Sequence, residues 1–359
     1  MPAVAEGPRP LKRRIWKARL ALLSVAILFS SPASAQARQQ DERTPAEAPS
    51  PPFAASSYLN RPLRADAPID PRSAAYVTEF RRQVRDYGPW INSDKHSTPV
   101  YTVKRNQPTV RVKLDTSYPP LDQAWREVPL PRRARAAKGS DRHLVVWQPS
   151  TSSMWEFWLL NKRADGWHAR WGAKMTHVSR NPGYFDILDP PSPGDAGSGA
   201  TASGIPLLAG LIRGSDVGPA GIQHALAVAL PEARPNEWVW PAHRTDGYYW
   251  TKGVPRVPEG ARFRLDPALD IERLDISPAA KLMARALQRY GLVVRDKSAA
   301  VTFYAEDPLT GGEAINRVLY GSGTSQWPSH YLREDYGGFP WQHLQLLKMG
   351  RPVDWSVYG

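Results

Sequence analysis

GSDRHLVVWQPSTSSMWEFWLLNKRADGWHARWGAK, residues Gly139–Lys174, predicts three consecutive strands. Leu144–Trp147 is short, apolar and β-branched, and Pro149-Ser150-Thr151-Ser152 follows as a turn. Met154–Leu160 is a second apolar run, closed by Asn161–Gly166 with its Asp-Gly hairpin signal. Trp167–Lys174 then alternates, with Trp167, Ala169 and Trp171 on one parity and His168, Arg170 and Lys174 on the other.

Setting Trp147 against Met154 places Val145 opposite Glu156 and His143 opposite Trp158. Setting Leu160 against Trp167 places Glu156 opposite Trp171 and Trp158 opposite Ala169. In that register Asp141, His143, Glu156, Trp158, Trp167 and Trp171 share one face, and a slip of one residue in either hairpin breaks the set. Indole rings stack on the apolar faces of sugars, and carboxylates accept bonds from hydroxyls, so this face has the makings of a glycan surface. The competing reading makes the Trp residues core and pairs Glu156 with an Arg, since aromatic residues in strands are usually buried. Glu156 keeps the first reading open: it is flanked by Trp155, Phe157 and Trp158, and Glu is rarely buried unless paired.

Outward from this meander, Val100–Val103 and Thr109–Leu114 read as strands around Asn106-Gln107-Pro108, and the Pro- and Arg-rich Asp115–Lys138 as a long surface loop. Pro71–Tyr87 reads as a helix capped by Asp70 and ended by Gly88, with Ala75, Phe80 and Val84 as face residues. On the other side, Asp189–Ser203 (DPPSPGDAGSGATAS) fits no regular element and reads as a loop or a flap over a site. Gly204–Arg213 is apolar. Ile222–Leu230 is a strand buried on both sides, with His224 on its bulkier parity, either a core residue or a general base or acid.

Trp238–Trp240 is a short strand leading into a loop with His243, Arg244, Asp246 and Tyr248. There Arg244 suits a sugar carboxylate and the rings suit stacking, while a plain turn with an Arg–Asp bond is the alternative. Pro258–Asp266 alternates, with Ala261, Phe263 and Leu265 inward and Arg262 and Arg264 outward. Ser277–Gly291 is the clearest helix, from the Ser277 cap through Pro278 to the Gly291 stop. Leu292–Arg295 and Val301–Tyr304 read as a hairpin around Asp296–Ala299. Gln342–Met349 reads as a short helix in a C-terminal segment that covers an edge.

At the N-terminus, Lys12-Arg13-Arg14 with Lys17 and Arg19 precedes the apolar Leu20–Phe29 and the small-x-small pattern Ala33-Ser34-Ala35. This predicts an export signal over residues 1–35, cleaved after Ala35, and a secreted or extracytoplasmic location. An uncleaved signal would be the one contact with a membrane. Gln36–Pro52 is polar and Pro-rich, a disordered spacer extending to residue 65. A single β domain then spans 66–308 and the wrapping segment 309–359.

The chain of 359 residues has 47 Lys and Arg against 34 Asp and Glu. Without residues 1–35 the balance is 41 against 33. A net positive surface favours acidic partners, but no nucleic-acid motif accompanies it. The absence of Cys excludes disulfides and thiol chemistry. No GxSxG, phosphate loop, dinucleotide fingerprint or HExxH is present, and the eight His have no ligand spacing. No metal or other cofactor is expected.

Several blocks carry a resemblance: Ser140-Asp141 before a strand, Glu156-Phe157-Trp158, Asp165-Gly166-Trp167, Ala202–Arg213, Gly221–Leu226 (GIQHAL), Pro241-Ala242, Pro258–Leu265 and Tyr290–Arg295 (YGLVVR). Together they resemble a family of secreted bacterial proteins to which no activity is attached. The resemblance covers about Asn92 to Pro308, implies one domain there and transfers no catalytic role.

The fold expected is mostly β, an antiparallel β-sandwich or jelly roll with a few peripheral helices. The function expected is binding, with or without cleavage, of an extracellular or cell-wall polysaccharide. In a hydrolase, Glu156 and Asp141 would be the acid and the nucleophile or base. In a lyase, His224 or a Tyr would take the proton α to a uronate carboxylate that Arg244 neutralises. Trp158, Trp171, His143, His243 and Tyr248 would bind the glycan beside Arg244. The alternatives are a non-catalytic binding protein and a structural envelope protein.

Overall fold

The computed structural model describes residues 52–186, 192–248, 251–312, 315, 319, 332, 338–350 and 353–354. The predicted export signal, and the spacer as far as residue 51, lie outside the described residues. In chain order the strands are β1 (Pro89–Asn92), β2 (Val100–Thr102), β3 (Val112–Leu114), β4 (Leu144–Gln148), β5 (Ser153–Trp158), β6 (Asn161–Arg163), β7 (Gly166–Ala169) and β8 (Trp171–Met175). They continue with β9 (Ala196–Gly197), β10 (Leu226–Leu230), β11 (Glu237–Trp238), β12 (Arg262–Leu265), β13 (Leu292–Lys297), β14 (Val301–Tyr304), β15 (Leu344–Leu346) and β16 (Val353–Asp354). The helices are α1 (Ser73–Tyr87), α2 (Pro119–Ala124), α3 (Pro278–Arg289) and α4 (Pro308–Gly311). No described helix is long and apolar enough to cross a membrane.

β10 is apolar on both parities, and it is buried on both. Leu226, Val228 and Leu230 pack with α1, α3 and Trp341; Ala225, Ala227 and Ala229 pack with Val145, Met154 and Ala173 of the meander. β10 is thus a central strand of a six-stranded sheet ordered β1-β14-β10-β13-β12-β15. A five-stranded sheet, β2-β4-β5-β8-β9, lies across the second of these cores. Its outer face, with Leu144, Val146, Trp155 and Phe157, forms a third core with α2, β3 and β7. The small β3-β7-β6 sheet closes that side. The order of layers is therefore helices, six-stranded sheet, five-stranded sheet, small sheet.

The body is mostly sheet, as its composition and alternation predict, but the sheets are mixed. β1–β14, β10–β13, β2–β4 and β3–β7 are parallel pairs. The purely antiparallel arrangement is corrected accordingly. The reason is visible at β13 and β14, expected to form a hairpin. β10 inserts between them, parallel to β13 and antiparallel to β14. Apolar runs of four residues carry no information on which strand comes between them.

The first hairpin of the meander keeps its predicted register, Val145 opposite Glu156 and Trp147 opposite Met154. The second does not. β7 pairs with β6 and β3, and β8 alone returns to β5, with Trp158 opposite Trp171 and Glu156 opposite Ala173. The shift of two residues preserves the parity of Trp171, whereas Trp167 leaves for the third core.

Other boundaries also move. α1 starts at Ser73, with Asp70 accepting from the Arg72 amide, and buries Tyr76, Val77, Phe80 and Val84 but not Ala75. Asp115–Lys138 is no plain surface loop: α2 and the buried Leu121, Trp125, Val128 and Leu130 cover the third core. Residues 52–65, assigned to the spacer, are packed, with Phe53, Tyr58 and Leu59 in the second core. Arg264, expected outward, is buried and donates to the carbonyls of Arg64 and Ala65 and to Gln345. The C-terminal segment supplies the edge strand β15 in place of the expected helix. α3 stands as predicted, its Ser277 hydroxyl accepting from the Ala280 amide at 3.1 Å.

Between the two large sheets runs an irregular apolar strap, residues 203–213. Ile205, Leu207, Leu208, Ala209 and Leu211 belong to the second core. Gly210 turns there with φ +70°, and its carbonyl accepts from the Ala227 amide at 3.0 Å. A Cβ on Gly210 would sit 2.3 Å from that amide nitrogen. The left-handed backbone and the overlap together make Gly210→Ala cost about 3 kcal/mol. Chemical denaturation of the purified variant checks this, and a loss below about 1 kcal/mol would contradict the tight docking of the strap.

Candidate functional site

An open cleft of about 810 Å³ lies where the two large sheets meet at one end. Each of its walls comes from an irregularity already described. The β13–β14 connection, forced to cross β10, supplies Asp296, Lys297, Ser298, Ala299 and Ala300. β13 also carries a bulge: Val228 faces Val294 and Ala229 faces Asp296, so Arg295 is an extra residue. A bulge re-aims side chains, and Asp296 lines the cleft as a result. The facing ends of β5 and β8 supply Trp158 and Trp171, both half-buried. Trp90, Tyr304 and Arg244 complete the ring- and charge-bearing lining with His96, Asp141, His143 and Asp246.

Of the residues singled out in the sequence, Asp141, His143, Trp158, Trp171 and Arg244 come together in this cleft. Asp141 takes the His96 ring at 3.2 Å. The His96 ring lies against Gly139, where a Cβ would meet it at 2.6 Å. His143 is buried, and burial pushes its imidazole down to about 4, against the pull of the Asp141 carboxylate. It is a neutral base at neutral pH. The Trp171 indole donates to the Ser198 hydroxyl at 3.1 Å. Burial lowers the Arg244 guanidinium, which donates to the carbonyls of Thr201 at 2.6 Å and Gly199 at 3.3 Å.

Glu156 does not line the cleft. It is fully buried behind it, and both oxygens accept from backbone amides, Ala200 at 2.6 Å and Leu207 at 2.9 Å. Burial pushes its carboxyl up to about 7, while the two amides, Arg295 and Arg244 hold it back. On the other side of the strap, Arg295 is also fully buried and donates to the carbonyls of Leu207 and Ala209. Its guanidinium lies 3.8 Å from the Tyr304 ring centre. Glu156 thus holds backbone amides behind the cleft, and the structure does not bring it into the cleft lining with Asp141.

His224, His243 and Tyr248 are also outside the cleft lining. His224, expected within the central strand, is buried two residues before β10, its Nδ1 at 2.9 Å from the Ala225 carbonyl and its Nε2 at 3.2 Å from Asp216. Burial lowers its pKa, but the Asp216 carboxylate outweighs this and leaves it raised. His243 packs on Gly204, where a Cβ would lie 1.8 Å from its ring, and burial pushes it down to about 4. Tyr248 is exposed under the Lys297 ammonium at 4.6 Å. His168 bonds Asp115 and Asp165 on the outer sheet.

The groups that pattern reading passed over are acidic. Asp246, Glu259 and Asp296 bring one carboxylate oxygen each within 4.8 Å of one another. Asp296 was taken for a turn residue and Glu259 for the start of a strand. Their convergence depends on the inserted β10 and on the link of Glu259 to Val239, whose amide donates to the Glu259 carbonyl at 2.9 Å. Burial and then the Asp246 carboxylate push Asp296 up to about 7. Burial and then Asp296 and Asp246 raise Glu259 well above the carboxylate range. The flap Asp189–Ser203 is described from residue 192: β9 pairs with β8, and Ser198–Thr201 are buried.

Comparison with protein-family models, curated proteins and solved structures finds no match to the chain. The resemblance to secreted bacterial proteins therefore stands on the sequence blocks alone.

Glu156 has a folded-state pKa above its unfolded value. Its favourable contribution is complete below the ordinary carboxylate range and is lost as pH rises through about 7. The melting temperature of the wild-type chain relative to that of Glu156→Gln is therefore expected to fall between pH 5 and pH 8. Glu156→Ala strands two buried amides and is expected to cost about 3 kcal/mol by denaturant titration. An unaltered stability would return Glu156 to the list of catalytic candidates.

Proposed function

We propose that the cleft binds an extracellular or cell-wall polysaccharide. One observation carries the reading: Trp90, Trp158, Trp171 and Tyr304 line one open cleft together with Asp141, Asp246, Asp296 and Arg244. Rings supply apolar faces for stacking, and the charged groups supply acceptors and a guanidinium for hydroxyl and carboxylate groups. The layering of the two large sheets about one core supports a sandwich description of the body, with mixed instead of antiparallel sheets. Export, on the N-terminal pattern, would put this cleft where such polymers are.

A lyase-type cleavage is the second reading, favoured by His143. A buried neutral imidazole faces the same cleft as Arg244. Arg244 would neutralise a uronate carboxylate, and His143 would remove the adjacent ring proton. The freed electron pair would form the C4–C5 double bond as the C4–O glycosidic bond breaks, the leaving oxygen taking a proton. The hydrolase reading loses its Glu156–Asp141 pair for the reason given above.

The chain from Gln36 onward is to be passed over immobilised neutral and acidic bacterial polysaccharides while new reducing ends and unsaturated uronate absorbance are followed. Retention of at least one polymer is expected, with Trp158→Ala and Trp171→Ala each weakening it about five-fold, or ~1 kcal/mol per ring. Unsaturated product that disappears in His143→Ala supports the lyase. Retention without product supports a binding protein, and neither signal across a broad panel overturns the glycan reading.

A further inference from the structure

We propose that Asp246, Glu259 and Asp296 form a binding site for a hard divalent cation, of calcium type, on the floor of the cleft. Glu259 is fully buried beside Thr245 and Asp246, and among the described residues neither of its oxygens has a hydrogen-bond partner of normal geometry. Its backbone leaves it no freedom to turn away. The Val239 amide donates to its carbonyl, and the next residue, Gly260, donates to the Val294 carbonyl at 2.8 Å. A Cβ on Gly260 would lie 1.7 Å from the Val239 carbonyl oxygen. The side chain is held toward Asp246 and Asp296, which both line the cleft.

The nearby cations do not neutralise the cluster. Among the described residues, none of the three carboxylates lies within ion-pair distance of an Arg or Lys. Arg244 and Arg295 are the closest in electrostatic effect. Arg244 donates to the carbonyls of Gly199 and Thr201, and Arg295 to those of Leu207 and Ala209. Lys297 lies over Tyr248. Asp296 Oδ1 accepts the Lys297 amide, at 2.9 Å. Three carboxylates in contact cannot all stay ionised without a counter-charge.

Geometry and donor type select the ion. Two oxygens bound to one calcium at about 2.4 Å lie at most about 4.8 Å apart. The three oxygens here meet that limit. An all-oxygen set suits calcium, magnesium or manganese over zinc or copper. The open cleft leaves positions for water or for a ligand's hydroxyl and carboxylate oxygens. The inference is independent of the glycan reading, because the cation alone is the ligand tested.

The purified chain, treated with EDTA and dialysed, is to be titrated with calcium chloride, and separately with magnesium and manganese chlorides, by isothermal calorimetry and thermal melting. One cation per chain is expected for at least one of the three, with a melting temperature that rises with its concentration. Glu259→Gln and Asp296→Asn should abolish both signals while melting, in EDTA, no lower than wild type, since each replaces a carboxyl by an amide of the same shape. Asp246→Asn, on the exposed loop, is the variant to read should a buried one fail to fold. Absence of heat and of any melting shift with all three cations overturns the site. So does an undiminished signal in Asp246→Asn together with either folded buried variant.

Discussion

An irregular segment such as residues 203–213, apolar and small up to Arg213, cannot lie between two sheets unless its peptide groups find partners there. Two opposite charges meet that requirement. Glu156, on one sheet, takes the Leu207 amide of the strap and the Ala200 amide just before it; Arg295, on the other, takes the carbonyls of Leu207 and Ala209. Neither charge would be tolerated in the interior without these bonds, and the strap would not be tolerated without the charges. The segment so held lies in the core between the two sheets, behind the cleft at their common end.

The charges are not interchangeable with apolar residues of similar size. Backbone amides and carbonyls point in opposite directions along a chain, so a strap held from both sides needs an acceptor on one wall and a donor on the other. Arg295 does this from a bulge, which also frees the next residue, Asp296, to face the cleft. One extra residue in β13 thereby serves the core and the site at once.

Much of this was legible in the sequence. The two-sided burial of Leu226–Leu230, the Ser277 cap and the register of Leu144–Gln148 against Ser153–Trp158 follow from local periodicity and turn chemistry. So does the parity that brings Trp158 and Trp171 together. What local pattern could not show is long-range order. Nothing in Leu292–Tyr304 says that a strand from sixty residues earlier lies in its middle. The acidic cluster was invisible for the same reason, being built from three segments that touch only in the folded sheet. Glu156 misled because its neighbours mark it equally as a buried anchor or a site carboxylate, and only the amides that reach it decide.

The six-stranded sheet joins β1 near the start of the described chain to β15 near its end. The Leu346 amide donates to the Ser73 hydroxyl and its carbonyl accepts from Asp70, so the first helix is tied to the last edge strand. Such a sheet has a high contact order. Its central strand must capture one neighbour that follows it by about sixty residues before the other can close on it. While the chain is still emerging during synthesis, α1 has no β15 to rest on and β12 has a bare edge. The final topology is therefore reached only by a nearly complete polypeptide. Until then the earlier strands lack the partners on which their place in the sheet depends.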